Sequence, residues 1–346
     1  MRKIGFALIG SGAVSQFHIK AILECELTDL VGIFSVDSES AKKIAAQYGV
    51  RHFKTLDELL TCDDVEVVNI CTPSGTHTEL ALKMLDSGKH VMVEKPLALT
   101  PQDCQSVIDA AKRSGRLCAV FAQLRFFEQV HAVKKAIDDG LLGKITIGSV
   151  YMKYYRSAEY YSLSDWRGTW EMDGGGALMN QGIHGIDLLR YLLGEVKSVS
   201  ASCKTLCHDI EVEDTAVAIL EYENEAIGVI EGTTSVYPGY SRILDINGTK
   251  GSIRLDENDI VRWDVDGAQY NVTEQTNKIN GASDPTNISH MGHKLQIENM
   301  AKTILGEAEL ANDAESGKRT VELICAIYES SKQGTKINLK DQGELK

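Results

Sequence analysis

The sequence predicts an α/β protein of two domains, the first with a doubly wound parallel sheet and the second an α+β domain with an open, mostly antiparallel sheet. Up to about residue 122, short apolar runs alternate with helix-like stretches, which is typical of parallel βαβ units. Beyond that point, longer runs alternate apolar and polar residues between turn-like segments, which is typical of antiparallel strands. A chain of 346 residues also suits two hydrophobic cores better than one. We therefore predict one domain over residues 1–122 and another over residues 123–346, whose last helix packs back on the first domain.

Composition and charge narrow the classes of protein to consider. The 43% hydrophobic and 25% charged content is ordinary for a globular chain, and the net charge of −13 argues against nucleic-acid binding. The chain shows neither a signal peptide nor an apolar run of about 18 residues that would predict a membrane span. Its eight cysteines are scattered, which favours reduced thiols and a cytoplasmic location. Cys203, Cys207 and His208 form the one cluster, and because they lack a fourth ligand we predict no metal.

A glycine-containing turn follows the first predicted strand, residues 4–9. The turn reads Gly-Ser-Gly-Ala-Val, and a helix-like stretch and a second strand over residues 30–34 complete a βαβ unit. Backbone N–H groups at such a helix start hold a pyrophosphate. The unit therefore predicts a Rossmann dinucleotide-binding domain, with Ser15 in place of the third glycine of the usual fingerprint. The cofactor contacts predicted in this turn are Gly10, Gly12, Ala13 and Val14.

The end of the second strand discriminates between NAD and NADP. An acidic residue there binds the ribose 2′-hydroxyl, whereas a small residue with a neighbouring arginine accepts a 2′-phosphate. This chain has Ser35 and Asp37 there, and no arginine follows Ser35. Asp37 either reaches the ribose or caps the helix that begins near Ser38. The pair favours NAD over NADP as the cofactor.

Two further strand ends of the first domain carry polar residues. The sequence Thr-Pro-Ser-Gly-Thr-His follows the strand over residues 65–71, and Glu-Lys-Pro follows the strand that begins at Val91. Ligands of open α/β sheets bind beyond the carboxyl ends of the strands. The further cofactor contacts predicted on this basis are Thr72, Pro73, Ser74, His77, Glu94, Lys95 and Gln123. Lys95 is also a candidate catalytic residue, the alternative being a surface lysine paired with Glu94.

The second domain opens with a helix over residues 129–139 and continues with strands of alternating pattern. These strands are expected over residues 145–155, 196–206, 215–222, 226–234, 241–247 and 252–255. The polar segment from Asp264 to Asp284 predicts a loop, and helices are expected over residues 290–306 and 315–333. One face of such a sheet is left for another subunit, so we expect a homo-oligomer.

A stretch that begins with three glycines, residues 174–193, predicts a helix with two different sides. Leu178, Met179, Ile183, Ile186 and Leu189 recur at helical spacing. Asn180, His184 and Asp187 then lie within about 60° of one another on the other side. Gly182 and Gly185 weaken a helix by about 1 kcal/mol each, and such glycines mark a place where another backbone or a ligand comes close. The alternative is a core helix with a hydrogen-bonded histidine.

Polar aromatic and cationic side chains gather before the three glycines. Arginine forks suit phosphates and carboxylates, and aromatic faces suit the apolar patches of sugar rings. The predicted substrate contacts are Lys95, Arg125, Tyr155, Arg156, Trp166, Arg167, Asn180 and His184. The alternative for the segment 153–170 is a structured surface loop.

In this combination and order, the motifs resemble the glucose-fructose oxidoreductase / inositol dehydrogenase / MocA-like family over almost the whole chain. They are Gly10-x-Gly12, Thr72-Pro-Ser-Gly-Thr-His77, Glu94-Lys-Pro96 and Gly174-Gly-Gly-x5-Gly-x-His184-x-x-Asp187. The resemblance implies an NAD(P)-dependent oxidoreductase, often a dimer or tetramer, that transfers hydride between nicotinamide and a ring hydroxyl or ketone. A sugar, a nucleotide sugar or a cyclitol is the implied substrate.

The family's lysine falls on Lys95 and its histidine on His184. We expect His184 to be the general base, because an imidazole titrates near the working pH, and Lys95 to stabilise the developing alkoxide. Many members carry Asp where this chain has Asn180, which we expect to orient the substrate or His184. The Asn form is similar to the branch with the UDP-N-acetylglucosaminuronate 3-dehydrogenases. Two alternatives stay open: a nucleotide-binding sensor without turnover, and a reductase of a non-sugar carbonyl.

Overall fold

The structure is a computed structural model that describes residues 2–270 and 289–340. Of the loop expected over residues 264–284, the part from residue 271 onward lies outside the described residues. The described chain forms two compact units, one of residues 2–123 with 289–321 and the other of residues 124–270 with 322–340. No helix within these residues is long and apolar enough to cross a membrane.

The first unit is built on a six-stranded parallel sheet in the order 3-2-1-4-5-6. Its strands are β1 Ile4–Ile9, β2 Thr28–Phe34, β3 Arg51–His52, β4 Val67–Ile70, β5 His90–Val93 and β6 Cys118–Val120. Its first helices are α1 Ser15–Glu24, α2 Ser38–Tyr48, α3 Leu56–Leu60, α4 His77–Asp86 and α5 Pro101–Ser114, with a 3₁₀ turn at Ser74–Thr76. A second 3₁₀ turn, Gln123–Phe126, leads from this unit into the other. Every residue of β1 is buried, because helices cover both faces of a doubly wound sheet.

The second unit holds an eight-stranded sheet in the order 13-12-11-7-10-9-8-14. Seven of its strands are β7 Ile145–Lys153, β8 Val196–Lys204, β9 Thr215–Tyr222, β10 Ile227–Thr233, β11 Ile243–Gly248, β12 Gly251–Asp256 and β13 Asp259–Val265, and the eighth, β14, is Ile337–Asn338 near the end of the chain. Its helices are α6 Glu128–Asp138, α7 Ala158–Ser162 and α8 Ile183–Leu193, the last preceded by a π-helix over Ala177–Gly182. Only β7 and β10 pair in parallel among these strands, so the predicted fold class is confirmed.

The end of the chain returns to both units. Helix α9 Met291–Ile304 lies in the first unit, α10 Ala314–Gln333 begins there and ends in the second, and β14 Ile337–Asn338 pairs with β8. The sequence predicts a second domain over residues 123–346, whereas residues 289–321 lie with the first unit. The reason is apolar burial: Ile297 and Met300 of α9 are fully buried in one core with Ile19 and Ile22 of α1.

Helix α8 packs closely on the sheet of its own unit, and its glycines explain how. A Cβ on Gly185 would lie 2.6 Å from Sδ of Met152 in β7, and one on Gly148 of β7 would lie 2.0 Å from Cδ1 of Leu193. Gly182 also faces Met152. These glycines therefore permit close helix–strand packing.

Candidate active site

Gly10 is the point at which the turn after β1 passes closest to β4. Its φ is +111°, and a Cβ built on it would lie 2.4 Å from the carbonyl oxygen of Cys71. Both the conformation and the space therefore require glycine. A Cβ on Gly12 would meet no described atom within 4 Å, and Gly12 and Ala13 are exposed while Val14 is half-buried. Open backbone at a helix start fits a pyrophosphate.

Ser15 occupies the place of the third glycine without disturbing the turn. Its side chain is fully buried, and its hydroxyl donates a 2.6 Å hydrogen bond to the carbonyl of Gly12. A small hydroxyl side chain that is satisfied locally keeps the first helix close to β1. The departure from the usual fingerprint is therefore accommodated by this turn.

The end of β2 answers one question that the sequence left open. Asp37 is the N-cap of α2, where its Oδ1 accepts a 3.1 Å hydrogen bond from the amide of Ser40. The hydroxyl of Ser35 accepts from the amide of Asp37 at 3.2 Å and from Ser11 Oγ at 3.0 Å. The cap holds the Asp37 carboxylate in place after β2. Its contact with a ribose stays a prediction.

The loop after β4 is tied to the segment after β5 by a buried histidine. His77 lies with Nδ1 2.7 Å from the carbonyl oxygen of Pro96 and Nε2 2.9 Å from that of Thr72. Both oxygens are acceptors, so an imidazolium satisfies both and a neutral ring donates to one of them. Burial lowers the pKa of His77, against the two carbonyls and Glu94, which favour its proton. The structure thus brings together two of the predicted rim segments, in which Pro73 and Ser74 lead into α4.

Glu94 lies in a buried cluster directly before the half-buried Lys95. Its Oε1 is 2.7 Å from Nε2 of His18 and 3.5 Å from Nε2 of His293, and its Oε2 accepts a 3.2 Å hydrogen bond from the amide of Lys95. Burial alone would raise the pKa of Glu94, but the contacts with the two histidines hold it well below its usual range. Glu94 is therefore a buried carboxylate with partners on both oxygens.

His18, Glu94 and His293 are also the group of three metal-ligating side chains that the described residues bring together. Tetrahedral zinc, with bonds of about 2.0–2.1 Å, separates its ligand atoms by about 3.3 Å. The 2.7 Å between His18 and Glu94 is the length of a hydrogen bond. The geometry is that of a hydrogen-bonded cluster.

Gln123, at the end of the first unit, carries an unsatisfied buried atom. Its side chain is 7% exposed, and within the described part of the chain its Oε1 has no hydrogen-bond donor. Buried polar atoms are normally paired, so an unpaired acceptor calls for a ligand or water. Together with the open glycine turn, this fits the predicted dinucleotide.

In the second unit, the three-glycine stretch leads into a π-helix where the sequence predicted α-helix. The carboxylate of Glu213 accepts hydrogen bonds from the amides of Gly176 at 3.0 Å and Leu178 at 2.8 Å, and from the hydroxyl of Tyr328 at 2.9 Å. The backbone carbonyl of Glu213 also accepts from the amide of Ala177 at 2.9 Å. Glu213 therefore accepts hydrogen bonds from the N–H groups at the start of the π-helix, which have no acceptor within the helix. π-Helical turns occur frequently at functional sites.

The accessible side of the π-helix and of α8, which follows it, carries two of the predicted catalytic residues. Asn180, Gln181 and His184 are half-buried, whereas the apolar residues around them are buried. The amide of Asn180 donates a 2.6 Å hydrogen bond to Asp173, whose other oxygen accepts from the amide of Gly168 at 2.9 Å. A carboxylate that is only 1% exposed, that of Asp173, thus lies against the side-chain amide of Asn180.

Two of the predicted polar residues form a buried ion pair. Arg125 Nε lies 2.7 Å from Asp187 Oδ2 and Arg125 Nη2 lies 2.5 Å from Oδ1, with both residues 7% exposed. The guanidinium also lies over the ring of Tyr191, 4.8 Å from its centroid. This pairing anchors α8 to the segment before α6. A substrate contact by Arg125 stays a prediction.

Arg156 and Arg167 converge on the ring of Tyr160. Their guanidinium carbons lie 5.7 and 4.3 Å from its centroid. Arg156 Nε donates to Gln181 Oε1 at 3.0 Å, and Gln181 donates to the hydroxyl of Tyr160 at 2.9 Å. Trp166 lies 5.5 Å from Arg167. The predicted segment is therefore a cation-rich cluster joined to the π-helix through Gln181.

Sequence reasoning missed five residues of these networks, namely His18, Asp173, Gln181, Glu213 and His293. Asp173 and Gln181 stand inside the stretch that the sequence singled out, so their polar side chains were a usable signal. His18, Glu213 and His293 act across large sequence separations, and no local pattern marks them. The predicted substrate contact Tyr155 lies two residues after the end of β7, where its ring packs edge-on against that of Tyr237 with centroids 5.3 Å apart.

Comparisons with known proteins identify the family of the chain. The family model described as an oxidoreductase family with an NAD-binding Rossmann fold matches residues 4–122, and the model of the GFO/IDH/MocA C-terminal domain matches residues 130–254. The first description confirms NAD as the predicted cofactor. Both confirm the resemblance drawn from the motifs.

Three similar proteins show the range of relatives. The WlbA dehydrogenase of Bordetella pertussis, in complex with NADH and UDP-GlcNAcA, is 34% identical with a TM-score of 0.88 over 97% of this chain and 98% of that chain. D-glucoside 3-dehydrogenase of Escherichia coli is 26% identical over 96% of this chain and 97% of its own. An uncharacterized oxidoreductase of Streptococcus pneumoniae is 30% identical over 64% of this chain, and the match spans 60% of that relative's length. The two family matches and the full-length likeness to WlbA show that the chain belongs to the GFO/IDH/MocA family of oxidoreductases, with an NAD-binding Rossmann domain.

Proposed function

We propose that the chain is an NAD-dependent dehydrogenase that oxidises a ring hydroxyl of an acidic nucleotide sugar of the UDP-GlcNAcA type. The observation that carries the proposal is the link from Arg156 through Gln181 to the helix that bears His184. It joins a cation-rich cluster to a histidine that is half-buried and accessible. The likeness to WlbA, which was solved with UDP-GlcNAcA, supports the same substrate class.

The cluster around Tyr160 suits an anionic sugar better than a neutral one. Arg156 is 4% exposed, and Arg167 has a buried Nε with no partner among the described residues. A guanidinium binds phosphate and carboxylate oxygens in fork geometry, and a buried N–H that lacks an acceptor costs free energy until a ligand supplies one. Burial raises the pKa of Tyr160, so its hydroxyl is neutral and does not repel an anion.

The chain's own residues supply proton transfer and orientation. The turn from Gly10 to Val14 would hold NAD⁺, which would supply the acceptor for the hydride of the carbinol carbon. A ring nitrogen of His184 takes the hydroxyl proton as general base. Asn180, which is held by Asp173, orients the substrate. Lys95, on which the family's lysine falls, stabilises the negative charge that develops on the substrate oxygen.

The substrate class is tested by following NADH at 340 nm with the purified protein and NAD⁺. The panel contains UDP-GlcNAcA, UDP-N-acetylglucosamine, a glucoside, myo-inositol and a non-sugar carbonyl with NADH. We expect the highest kcat/KM for UDP-GlcNAcA and a lower value for the neutral nucleotide sugar. A higher kcat/KM for a neutral sugar or for the non-sugar carbonyl would refute the acidic-sugar proposal. Binding of NAD⁺ without turnover of any compound would favour the sensor.

The substitution Arg167→Lys tests the arginine cluster, because lysine keeps the positive charge but cannot donate two parallel hydrogen bonds as a guanidinium does. We expect KM for UDP-GlcNAcA to rise about tenfold, corresponding to about 1.4 kcal/mol, while kcat changes little. Arg254→Lys is the matched control, because Arg254 also makes a two-point contact, here with Asp245 between strands β12 and β11. Equal KM values for the two variants would show that Arg167 does not bind the substrate.

We also propose that the chain forms a homo-oligomer through the outer face of its second sheet. Ile147, Val217, Ile219 and Ile227 lie on one face by strand register and are 40–58% exposed. A contiguous exposed apolar patch typically marks an interface. Sedimentation should give a dimer or tetramer, and Ile219→Glu should shift it toward a monomer; a monomeric wild-type protein would contradict the proposal.

A reducing cytoplasmic location is the third part of the proposal. None of the eight cysteines, all of which lie in the described part of the chain, forms a disulfide, and Cys25, Cys62, Cys71, Cys104 and Cys118 are buried. Burial raises the pKa of Cys118 to about 12, so this thiol stays protonated and unreactive. Fractionation of source cells should place the protein with cytoplasmic markers, and recovery in a secreted fraction would contradict this.

A further inference from the structure

Lys95 stands between two residues whose polar groups are held by buried histidines. Before it, the carboxylate of Glu94 contacts His18 at 2.7 Å. After it, the carbonyl of Pro96 lies 2.7 Å from His77. Glu94 is 7% exposed and both histidines are at most 1% exposed. The backbone on either side of Lys95 is therefore attached to rigid interior groups.

The two oxygens of Glu94 have different partners. Oε1 faces Nε2 of His18 and of His293, while Oε2 accepts from the amide of Lys95 at 3.2 Å. Both oxygens act as acceptors, which a carboxylate provides and a carboxamide does not. An amide in the same place would turn an N–H toward either His18 or the Lys95 amide.

The tautomer of His18 is set by a contact at its other ring nitrogen, Nδ1. The amide nitrogen of Asn69 lies 3.1 Å from Nδ1 of His18. With Nδ1 accepting that hydrogen bond, the ring proton sits on Nε2 and is donated to Glu94. Phe121 packs edge-on against His18 with centroids 4.4 Å apart, and His293 packs the same way at 5.0 Å. The donor is thus fixed in direction and in tautomer.

We propose that Glu94 is a positioning residue that fixes Lys95 for turnover, with His18 and His293 holding Glu94 from behind and His77 holding Pro96 ahead. The inference rests on the proposed catalytic role of Lys95 and extends it to the buried side chains that hold the backbone on either side of it. A misplacement of about 1 Å at a reacting group costs about 100-fold in rate. Loss of this support should therefore lower kcat far more than it weakens NAD⁺ binding.

The first test is Glu94→Gln, with UDP-GlcNAcA and NAD⁺ as the assay pair. We expect kcat to fall about 100-fold, KM for NAD⁺ to stay within about twofold, and the pH profile of kcat to change shape. Hydrogen exchange should also quicken at the Lys95 amide, a readout that needs no substrate. Wild-type kcat across pH with unchanged exchange would overturn the proposal.

A second pair of variants keeps the test decisive if Glu94→Gln does not fold. His18→Gln retains an N–H that can donate to Glu94, whereas His18→Leu fills a similar volume without one. We expect His18→Gln to keep most of the wild-type kcat and His18→Leu to lose it. Equal kcat values for the two variants would contradict the proposal.

The matched control lies on the same strand. His90 begins β5 and accepts a hydrogen bond from the amide of Leu117 at 2.9 Å, so His90→Gln perturbs β5 at the end away from Lys95 and should leave kcat unchanged. Lys95→Ala is measured in parallel. If it keeps full activity, the proposed role of Lys95 fails; if it loses activity while Glu94→Gln keeps it, only the positioning inference fails.

Discussion

The buried carboxyl of Glu213, which holds the start of the π-helix, predicts how the free energy of unfolding depends on pH. It is 4% exposed, and burial raises its pKa from 4.5 to about 7, against the hydrogen bonds from Leu178, Gly176 and Tyr328. Because the folded pKa lies above the unfolded one, folding favours the protonated carboxyl. The associated stability is complete below the unfolded pKa and is lost as the pH rises through about 7.

The magnitude follows from the two pKa values. The interval from 4.5 to about 7 amounts to roughly 3 kcal/mol in the free energy of unfolding, at about 1.4 kcal/mol per pH unit. Glu213→Gln mimics the protonated carboxyl at every pH, so it removes this dependence. It also turns one N–H toward a backbone donor, which costs about 1–3 kcal/mol at all pH values.

Urea unfolding of wild type and Glu213→Gln from about pH 5 to about pH 8.5 measures the difference. The stability advantage of wild type should shrink by about 3 kcal/mol across that range. Glu211→Gln is the matched control, since Glu211 is exposed and two residues away, with its carboxylate bonded to the amide of Trp170 at 3.0 Å. Parallel pH profiles for wild type and Glu213→Gln would refute the reasoning.

Two further changes test the architecture of each unit. Gly10→Ala places a Cβ 2.4 Å from the Cys71 carbonyl at a φ of +111°, so we expect NAD⁺ affinity measured by calorimetry to fall at least about tenfold, or about 1.4 kcal/mol; unchanged affinity would contradict the tight turn. Asp187→Asn leaves the buried Arg125 guanidinium without its anion, so chemical denaturation should show a loss of about 3–5 kcal/mol. A loss below about 1 kcal/mol would show that the pair is not important for folding.

The strands and helices of the first unit could be predicted from local patterns in the sequence. The continuous apolar run of β1, the Gly-x-Gly turn and the Asp37 cap of α2 each act over a few residues, so local spacing specifies them. In the same way, Pro101 in the first turn of α5 and the left-handed Gly115 after it mark that helix without tertiary information.

Other features depend on contacts between distant residues. The π-helix needs Glu213, which lies 37 residues from Gly176 in the chain, and no local pattern distinguishes it from the predicted α-helix. The cluster behind Lys95 joins His18 and Glu94, which are 76 residues apart. Helix α9 joins the first unit because its apolar side is buried with α1, a choice that its amphipathic pattern alone does not make.

The measurement that most directly tests the proposed function is NADH formation from UDP-GlcNAcA by wild type and Lys95→Ala, with NAD⁺ binding measured on the same samples. Loss of one hydrogen-bond donor to a developing alkoxide should lower kcat by about 100- to 1,000-fold. NAD⁺ affinity should stay close to that of wild type. A Lys95→Ala protein that turns over at the wild-type rate would contradict the assignment of the chemistry to this site.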